Sequence, residues 1–519
     1  MGKKLALIAA GLLGLIAACN KKTETNFVPV QVNPLVAHYE DMNNSGKKVI
    51  LEDHLQGNLG NLIVFDTQSG NTNLLLRALP QDSYRWLRAT TQTKAVLYEW
   101  DYSIQPSNSD IVVADLDGGA HFDSNTPDKD EYFLKMVNND QTALYEEYDW
   151  LFHISRIMSV DVNTHETKDL FASERVVNIN HNDNNLRVFT EDIFGNNKFY
   201  LIDSSGAKQL LLTTGPGNNI EHYSTPEAAA YYDYPNIVFK LLGTGATATF
   251  VPPSPDPSIS YYVQGMTQAE AVMCGYDITG TNPPAFYHFD FATQTTTPID
   301  LSAFPNWDGR WNEMVNGAGR LAIPGNDNVL FYNRASGTIE DLVTPVIGAT
   351  PIYSQVIAKS GGKALIRTER NADQNYIGKA LYFDGTNVAD AAPSYNDVRV
   401  RDSSKDGKYV LLMGGYNDLV LFDVEAGTSK VIYNGFPRSP RFSPDSSIVV
   451  YAAYVDGTNE TVVNVYDIAA KTTRELSRKP SMSQIYDISK DNSTVIIGRD
   501  YSIFAIDTAT GDETFVAYE

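Results

Sequence analysis

The sequence predicts an all-β fold, a β-propeller built from short four-stranded sheets. Three observations support this prediction. After about residue 33, a strand-rich unit recurs roughly every 43 residues, about eleven times. Two series of turns stay in step along these repeats, and tyrosine, a strand-favouring residue, occurs 30 times. A four-stranded sheet is too small to bury both of its faces alone, so each unit must stack on its neighbours.

The first turn series joins the first two strands of a unit, A and B. Asp, Asn and Gly suit such turns because they tolerate positive φ or hydrogen-bond their own backbone. The clearest examples are at 405–408, 444–447 and 490–493, each followed by an apolar strand B at 409–413, 448–452 and 494–497. Looser versions are Ser45-Gly46, Asn139-Asp140, Asp183-Asn184, Gly317 and Gly361-Gly362.

The second series joins strands C and D, with an Asp or its equivalent at the end of strand C. The markers are Asp66, Asp115, Asp161, Asp203, Gly243, Asp290, Asn333, Asp384, Asp423, Asp467 and Asp507. Gly243 is the weakest member. Unrelated hairpins in a β-sandwich are the competing interpretation, but they would not keep two interleaved turn series in step.

The segments SPDSSIVVY (443–451) and VYDIAAKTTREL (465–476) carry a family resemblance. They resemble the repeat of TolB-like and peptidase-type propellers, a WD40-like repeat of the PD40 type, in which SPDGK precedes a strand and DLxTG follows another. Residues from about 399 to 517 match this pattern well, and earlier units match it more loosely. The resemblance implies that the motif's aspartates stabilise turns and are not catalytic.

About eleven units exceed the usual four to eight blades of one ring. The one proline-dense stretch, 251–257, falls between the fifth and sixth units and is typical of an extended spacer. We therefore expect two rings in tandem, 34–250 and 259–519, joined by a Pro-rich linker at 251–258. The alternative is one ring of seven or eight blades, with the remaining units as insertions.

The N-terminus predicts a lipoprotein. Residues 1–18 combine two lysines with an apolar run too short to span a bilayer, as in a signal peptide. Ile16-Ala17-Ala18-Cys19 resembles the bacterial lipobox, which implies diacylation of Cys19; the alternative is an ordinary secretory signal cleaved near Ala18. Residues 19–33 would form a lipidated tether. Asn20 favours, by analogy, a bacterial outer-membrane location, with the periplasmic or surface face left open.

The charge of the chain limits its expected binding partners, and its cysteine content limits its possible disulfides. The whole chain has a formal net charge of −23, from 40 basic and 63 acidic residues. Such a charge repels nucleic acid, so we expect no nucleic-acid partner and no membrane contact other than the N-terminal lipid. Cys274 is the only cysteine besides Cys19, which excludes an intramolecular disulfide in the mature chain.

Catalytic motifs are missing: the sequence has no GxSxG, P-loop, dinucleotide fingerprint or HExxH. Its histidines are scattered and are interpreted as structural or surface residues. No cofactor is expected, with Ca²⁺ as the one possibility. The loop 115–131 is dense in oxygen ligands, and its candidates are Asp123, Asn125, Asp128 and Asp130. A solvated acidic loop is the alternative, because Pro127 replaces the glycine turn of an EF-hand.

Loops that enter strand A lie on the face where propellers most often bind partners. Arginine and aromatic residues, which are enriched at binding hot spots, recur there. The candidate ligand-binding residues are Trp86, Trp307, Arg310, Trp311, Tyr353 and Arg438. Two tryptophans flank the turn at 305–311 and could form a platform for a sugar or peptide. The competing interpretation is ordinary packing between blades, with the arginines paired to carboxylates.

Three functions remain open on sequence grounds. The first is a non-catalytic, lipid-anchored envelope propeller that binds a protein, peptide or glycan at one ring face. The second is a glycan lyase or hydrolase with its site at the propeller channel. The third is a lipid-tethered sensor or spacer with a featureless face. Two or more buried acids near a His or Tyr in the channel would favour catalysis.

Overall fold

The computed structural model describes most of the chain. The described residues are 38–52, 61–76, 83–101, 108–118, 121–124, 129–180, 186–221, 224, 228–254, 256, 258–279, 284–303, 314–325, 327–372, 375–415, 417–455 and 457–518. Strands make up most of them, joined by turns, and they include one short helix, α1 (Val343–Ile347). Within these ranges, no helix has the length and apolar character needed to cross a lipid bilayer.

The described strands fall into eleven consecutive groups, which we call units 1 to 11. Units 1 to 4 contain, in turn, β1 (His38–Met42), β2 (Lys48–Glu52), β3 (Leu62–Asp66), β4 (Thr72–Leu76); β5 (Ser83–Thr90), β6 (Lys94–Asp101), β7 (Asn108–Asp115), β8 (His121–Asp123); β9 (Lys129–Val137), β10 (Thr142–Asp149), β11 (Ile154–Asp161), β12 (Thr167–Asp169); and β13 (Glu174–Asn180), β14 (Leu186–Asp192), β15 (Asn196–Ile202), β16 (Lys208–Pro216).

Units 5 to 8 contain β17 (Ala228–Asp233), β18 (Asn236–Leu241), β19 (Thr247–Phe250); β20 (Ile259–Met266), β21 (Glu270–Asp277), β22 (Ala285–Asp290), β23 (Thr295–Ile299); β24 (Val315–Asn316), β25 (Arg320–Pro324), β26 (Val329–Asn333), β27 (Thr338–Glu340); and β28 (Tyr353–Ser360), β29 (Lys363–Ala372), β30 (Asn375–Phe383), β31 (Val388–Asp390). Units 9 to 11 contain β32 (Val398–Ser403), β33 (Tyr409–Gly414), β34 (Asp418–Asp423), β35 (Thr428–Asn434); β36 (Pro437–Phe442), β37 (Ile448–Tyr454), β38 (Thr461–Asp467), β39 (Thr472–Lys479); and β40 (Ser483–Ile488), β41 (Thr494–Arg499), β42 (Ser502–Asp507), β43 (Glu513–Tyr518).

Within a unit, consecutive strands pair antiparallel in chain order, which is the order A–B–C–D of a propeller blade. The all-β propeller fold is therefore confirmed. Unit 5 has three strands, and a single bridge between Ile220 and Tyr231 marks the place of its strand A. Units 2 to 4 join into one twelve-stranded sheet through the pairs Ser109–Asp130 and Ser155–Val176.

Both turn series lie where the sequence places them among the described residues. In the A–B turn of unit 9, Ser404 Oγ donates to Asp406 Oδ1 at 2.6 Å and accepts from Tyr409 N at 2.8 Å. Units 10 and 11 repeat this arrangement. In the C–D turn of unit 11, Asp507 Oδ1 accepts from the backbone N–H of Ala509 and Thr510. The motif's aspartates therefore hold turns together by Asx hydrogen bonds.

The core is a series of apolar layers, each shared by two units. In strand B of unit 1, Val49 and Leu51 pack against unit 11, whereas Ile50, on the opposite side, packs against unit 2. Strand B is apolar at successive positions because neighbouring units cover both of its faces. Each pair of consecutive units shares such a cluster, and one more cluster joins unit 11 to unit 1.

The described clusters therefore connect the units into one closed circuit. Two separate rings would need unit 1 to pack on unit 5 and unit 6 on unit 11. Neither pair shares an apolar cluster among the described residues. Instead, Phe250 of unit 5 packs with Tyr261 of unit 6 across the proline-rich segment. These contacts favour one circuit, and the division at residues 251–258 stays a prediction.

Inner strands of adjacent units are linked by aspartates at β-bulges. Asp402, Asp487 and Asp41 each follow a register shift in strand A. Oδ1 of each accepts the next residue's backbone N–H, and Oδ2 accepts a donor from the next unit of the circuit. These donors are Phe442 N at 2.8 Å, Tyr39 Oη at 2.7 Å and Thr90 Oγ1 at 3.0 Å, respectively. The same device therefore joins units 9 and 10, 11 and 1, and 1 and 2.

The carboxyl group of Asp41 has an unusually high pKa. Burial is the main cause that raises its pKa from 3.8 to about 6, and the charge of Asp487 adds to the effect. Thr90 Oγ1 lies 2.8 Å from Met42 O as well as 3.0 Å from Asp41 Oδ2, yet a hydroxyl has only one proton to donate. A protonated Asp41 can donate to Thr90 while Thr90 donates to Met42.

We predict that Asp41→Asn stabilises the protein above pH 6. Unfolded Asp41 ionises near its ordinary pKa of 3.8, whereas the folded carboxyl resists ionisation up to about pH 6. The wild type therefore loses at most about 3 kcal/mol of stability as the pH rises from 4 to 6. The Asp41→Asn variant has no carboxyl at this position and does not lose it. Thermal unfolding measured from pH 3.5 to 8 checks this. The melting temperature of the variant should exceed that of the wild type most at pH 8, and the two should be equal below pH 4.

The matched control is Asp402→Asn at the equivalent bulge. Its two carboxylate oxygens accept two backbone N–H groups, and one amide oxygen cannot replace both. This variant should melt below the wild type at pH 8. A stabilising Asp402→Asn, or an Asp41→Asn effect equal at pH 3.5 and 8, would contradict this account of the bulge aspartates.

Candidate binding surfaces

The two faces of the circuit carry different turns. Because strands alternate in direction, the B–C turns and the starts of the A strands lie at one end of each sheet. The A–B and C–D turns lie at the other end. We call these ends the B–C face and the A–B face.

Large apolar side chains are exposed at the B–C turns of units 3 to 6. Six residues there, the tip residues, are 61% to 87% exposed: Leu151, Phe152, Ile193, Phe194, Tyr234 and Ile278. In unit 3, Asp149 Oδ1 accepts the N–H groups of Leu151 and Phe152, at 3.0 and 3.1 Å. In unit 4, Asp192 Oδ1 accepts from Phe194 N at 2.9 Å. These Asx hydrogen bonds hold the turn backbones, so the apolar side chains are presented on ordered loops.

A stack of aromatic rings lies beside the tip residues, in units 2 and 3. Tyr84 and Trp86 alternate along β5 and therefore share a face. Their ring centroids are 5.9 Å apart, Trp86 is 5.5 Å from Tyr98 in β6, and Tyr98 is 6.2 Å from Tyr132 in β9. Tyr98 is buried, whereas Tyr84 is 48% and Trp86 39% exposed. The guanidinium of Arg88 lies 5.7 Å from the Trp86 ring centroid. Only the outer end of the stack is accessible.

Asp130, one of the calcium candidates, has a different role in the described structure. It is buried, and its Oδ2 accepts from Trp150 Nε1 at 2.8 Å and from Tyr132 Oη at 3.1 Å. Asp123 lies in β8 and is exposed, while Asn125 and Asp128 lie outside the described residues. No group of three or more potential metal ligands occurs within the described part of the chain. Calcium binding at this loop stays a prediction.

The described candidate ligand residues belong to three different units. Trp86 belongs to unit 2, Tyr353 to unit 8 and Arg438 to unit 10. Tyr353 Oη donates to Gln355 Oε1 at 2.6 Å, and Arg438 lies 4.9 Å from the Tyr454 ring centroid. Tyr353 thus contacts a residue of its own strand, whereas Arg438 also lies 2.8 Å from Met482 Sδ, in the segment between units 10 and 11. Trp307, Arg310 and Trp311, as well as Cys19, lie outside the described residues.

Another strand-A arginine, Arg85, is paired with a carboxylate: its Nε lies 2.6 Å from Glu99 Oε1.

Sequence reasoning missed the tip residues altogether. Their signal is an Asp that ends strand B and is followed by apolar residues, as in Asp149-Trp-Leu-Phe and Asp192-Ile-Phe. Polar residues are usual in such turns, so exposed apolar residues there depart from the usual pattern.

One buried histidine has an acidic partner. His288 Nε2 lies 2.6 Å from Glu270 Oε2, and Arg334 donates to both oxygens of the same carboxylate. Burial alone would raise the pKa of Glu270, but these hydrogen bonds and charges lower it to about 2. Arg334 belongs to unit 7, whereas Glu270 and His288 belong to unit 6. The group therefore links units 6 and 7 through His288, Glu270 and Arg334.

Comparisons with known proteins give distant likenesses to solved structures. The chain matches no family model and no curated protein sequence. Among solved structures it is similar to the tricorn protease, with 11% identity and a TM-score of 0.26, over 91% of this chain and 49% of that one. The chain thus spans about half the length of the tricorn protease.

Two further solved structures are similar at the same level. A eukaryotic initiation factor has 12% identity and a TM-score of 0.32, over 76% of this chain and 92% of that one. A putative TolB from Agrobacterium tumefaciens has 12% identity and a TM-score of 0.24, over 45% of this chain and 87% of that one. Likenesses this weak carry no argument about the function of this chain.

We predict that Trp150 and Phe152, neighbours in one turn, differ sharply in their effect on stability. Trp150→Phe removes a hydrogen-bond donor from the buried Asp130 carboxylate and should lower the free energy of unfolding by about 1–3 kcal/mol. Phe152→Ser, at a mostly exposed side chain, should change it by less than about 0.5 kcal/mol. Urea unfolding of both variants checks this, and equal effects would contradict the Trp150–Asp130 bond.

Proposed function

We propose that this chain is a non-catalytic, lipid-anchored β-propeller of the bacterial cell envelope that binds a protein partner through its B–C face. The observation that carries the proposal is the row of tip residues on the B–C turns of four consecutive units. Large exposed apolar groups on soluble domains mark interaction sites when they recur side by side.

The surroundings of the tip residues fit a protein interface. Such interfaces combine an apolar centre with a polar, accessible rim, and aromatic residues dominate their binding energy. Exposed charged side chains lie near the tips, including Arg156 in β11 and the pair Arg175–Glu191 in β13 and β14. A row spread over four units suits an extended protein surface better than one sugar ring.

A peptide or glycan is the second candidate partner, and it is favoured by a separate observation. The exposed rings of Tyr84 and Trp86 are nearly parallel, at 13°. Flat aromatic faces of this kind can stack on a sugar ring or a peptide side chain. This ligand would occupy the accessible end of the stack in unit 2, apart from the tips of units 4 to 6.

The alternative of a glycan lyase or hydrolase has one group in its favour. Tyr39 Oη donates to Asp487, and the charge of Asp487 acts on Asp41, so two acids and a tyrosine lie together on inner strands. Each of these carboxylates already accepts hydrogen bonds that join two units. We therefore interpret the group as part of ring closure. Release of reducing ends or unsaturated products from envelope glycans would favour the enzyme.

The B–C face can be tested by crosslinking in intact cell envelopes. We predict that Phe152→Ser combined with Phe194→Ser reduces the yield of the main crosslinked protein at least tenfold, because it removes apolar side chains from the interface centre. Val431→Ser is the matched control, since Val431 is 46% exposed on β35 of unit 9. Mass spectrometry identifies the products.

The melting temperatures of both variants should stay within a few degrees of the wild type. An unchanged crosslink in the double variant would overturn the assignment of this face. Loss of a crosslinked glycan only, on Trp86→Ala, would support the second candidate instead.

The lipid anchor is tested separately at Cys19. Cys19→Ala removes the sulfur that would carry the diacylglycerol, and each buried methylene of an acyl chain contributes about 0.8 kcal/mol to membrane affinity. We predict that the variant moves from the membrane fraction to the soluble fraction on envelope fractionation. Continued membrane association would contradict the lipoprotein assignment.

A further inference from the structure

Arginine side chains recur on the A strands of units 9 and 10. Four exposed arginines lie there: Arg399 and Arg401 in β32, and Arg438 and Arg441 in β36. The two strands are neighbours, because Asp402 Oδ2 of β32 accepts from Phe442 N of β36 at 2.8 Å. Both strands start at the B–C face, which also carries the tip residues, but they belong to other units.

Two of these arginines lie near carboxylates. Arg399 Nε lies 3.4 Å from Asp397 Oδ2, which is the pairing that ordinary packing between blades predicts. Arg441 follows the bulge of β36, where units 9, 11 and 1 have an aspartate. Its positive charge acts on Tyr39, which donates to Asp487. Both arginines are therefore explained by contacts within the fold.

Arg401 and Arg438 have no carboxylate partner among the described residues. Arg401 Nη2 lies 3.2 Å from Met413 Sδ, and Arg438 Nη1 lies 2.8 Å from Met482 Sδ. A thioether sulfur is a weak acceptor, so each guanidinium keeps N–H donors for a ligand. The chain has 63 acidic and 40 basic residues, and acidic partners are therefore in surplus. Packing alone does not explain why two arginines of neighbouring units lack one.

The surrounding structure directs both guanidinium groups to the B–C end. Arg401 reaches back along its strand, because Met413 pairs with Arg399, two residues before it. Arg438 lies 4.9 Å from the Tyr454 ring centroid, within the range of a cation–π contact. Its other contact, Met482, precedes strand A of unit 11. These contacts order the side chains and leave them exposed.

Exposed apolar side chains lie next to Arg438. Phe436, just before β36, is 51% exposed, and Met482, just before β40, is 52% exposed. Arginine, aromatic residues and methionine are enriched at protein interfaces, and arginine is frequent among the residues that dominate their binding energy. This combination fits a peptide that carries carboxylates and apolar side chains. A polysaccharide of acidic sugars has no apolar side chain to pack on Phe436 and Met482.

We propose that Arg401 and Arg438 bind an acidic peptide segment of the protein partner, while Phe436 and Met482 contact apolar side chains of the same segment. Guanidinium groups pair with carboxylates through two parallel hydrogen bonds, which are stronger than neutral ones. The net charge of −23 repels such a segment from most of the surface and so favours this place. The inference rests on the proposed function, since it names the chemistry of that partner, but it uses none of the tip residues.

Photocrosslinking in intact cell envelopes tests this contact. A benzophenone-bearing phenylalanine replaces Phe436 in the full chain and keeps an aromatic ring there. We predict a crosslinked protein whose attached peptide contains more Asp and Glu than Lys and Arg. Arg401→Gln combined with Arg438→Gln should lower the yield about tenfold, because the charge-assisted hydrogen bonds to the carboxylates are lost.

The matched control is Lys405→Gln combined with Lys471→Gln. It removes the same charge from exposed side chains of units 9 and 10, but at the A–B face, and should crosslink like the wild type. The melting temperatures of both double variants should stay within a few degrees of the wild type. If the arginine pair melts lower, Arg438→Gln alone replaces it and should lower the yield about threefold.

The proposal is overturned if no protein is crosslinked at Phe436, if the attached peptide is not acidic, or if the product is a polysaccharide. It is also overturned if the arginine variant crosslinks like the control. Failure of the proposed function gives a different result: the variant with Phe152→Ser and Phe194→Ser then keeps its crosslinks, whereas the arginine variant loses the crosslink at Phe436. Loss in the Phe152 and Phe194 variant alone would overturn the arginine site and leave the tip residues as the interface.

Discussion

Face-to-face packing of neighbouring sheets is the interaction on which the structure depends. Strand B of each unit carries apolar side chains on both of its faces. In unit 11, for example, Ile496 packs against unit 1, whereas Val495 and Ile497 pack against unit 10. A sheet of this size cannot stand alone, so every unit needs two neighbours. The packing of unit 11 on unit 1 supplies the last of these contacts, and the bulge aspartates add polar links along the inner edge.

This dependence separates the parts of the chain that carry stability from those that are available for binding. The apolar layers and the turn aspartates stabilise the fold. The buried group at Glu270 and the Tyr39–Asp487 hydrogen bond do the same. The proposed binding residues lie at the B–C end of the sheets. The B–C turns present the tip residues, and the A strands of units 9 and 10 present Arg401 and Arg438.

Much of the fold could be predicted from the sequence because local turn chemistry repeats. Asp406, Asp445 and Asp491 lie in turns whose backbone geometry needs such a residue, so their spacing identifies the units. Even Gly243 lies in the turn between β18 and β19, where its unit should have a C–D turn. Ring closure was harder to predict, because the contacts between unit 11 and unit 1 join residues at opposite ends of the described chain. No local sequence pattern indicates such contacts. The proline-rich segment 251–257 gives no information on closure either, because local composition does not tell which sheets pack beside it, and the division into two rings stays a prediction.

The sites were less predictable than the fold. Trp86 is a candidate because arginine and aromatic residues recur at the entries to strand A, and its role stays a prediction. Asp130 accepts hydrogen bonds from Trp150 and Tyr132, which acidic composition alone cannot show. Closure of the circuit is the central claim, and distances between spin labels test it most directly. Labels at Lys47 of unit 1 and Asp512 of unit 11, in a chain without Cys19 and Cys274, should be closer together than labels at Lys47 and Thr244 of unit 5. A shorter distance to Thr244 would contradict the single circuit and indicate two rings.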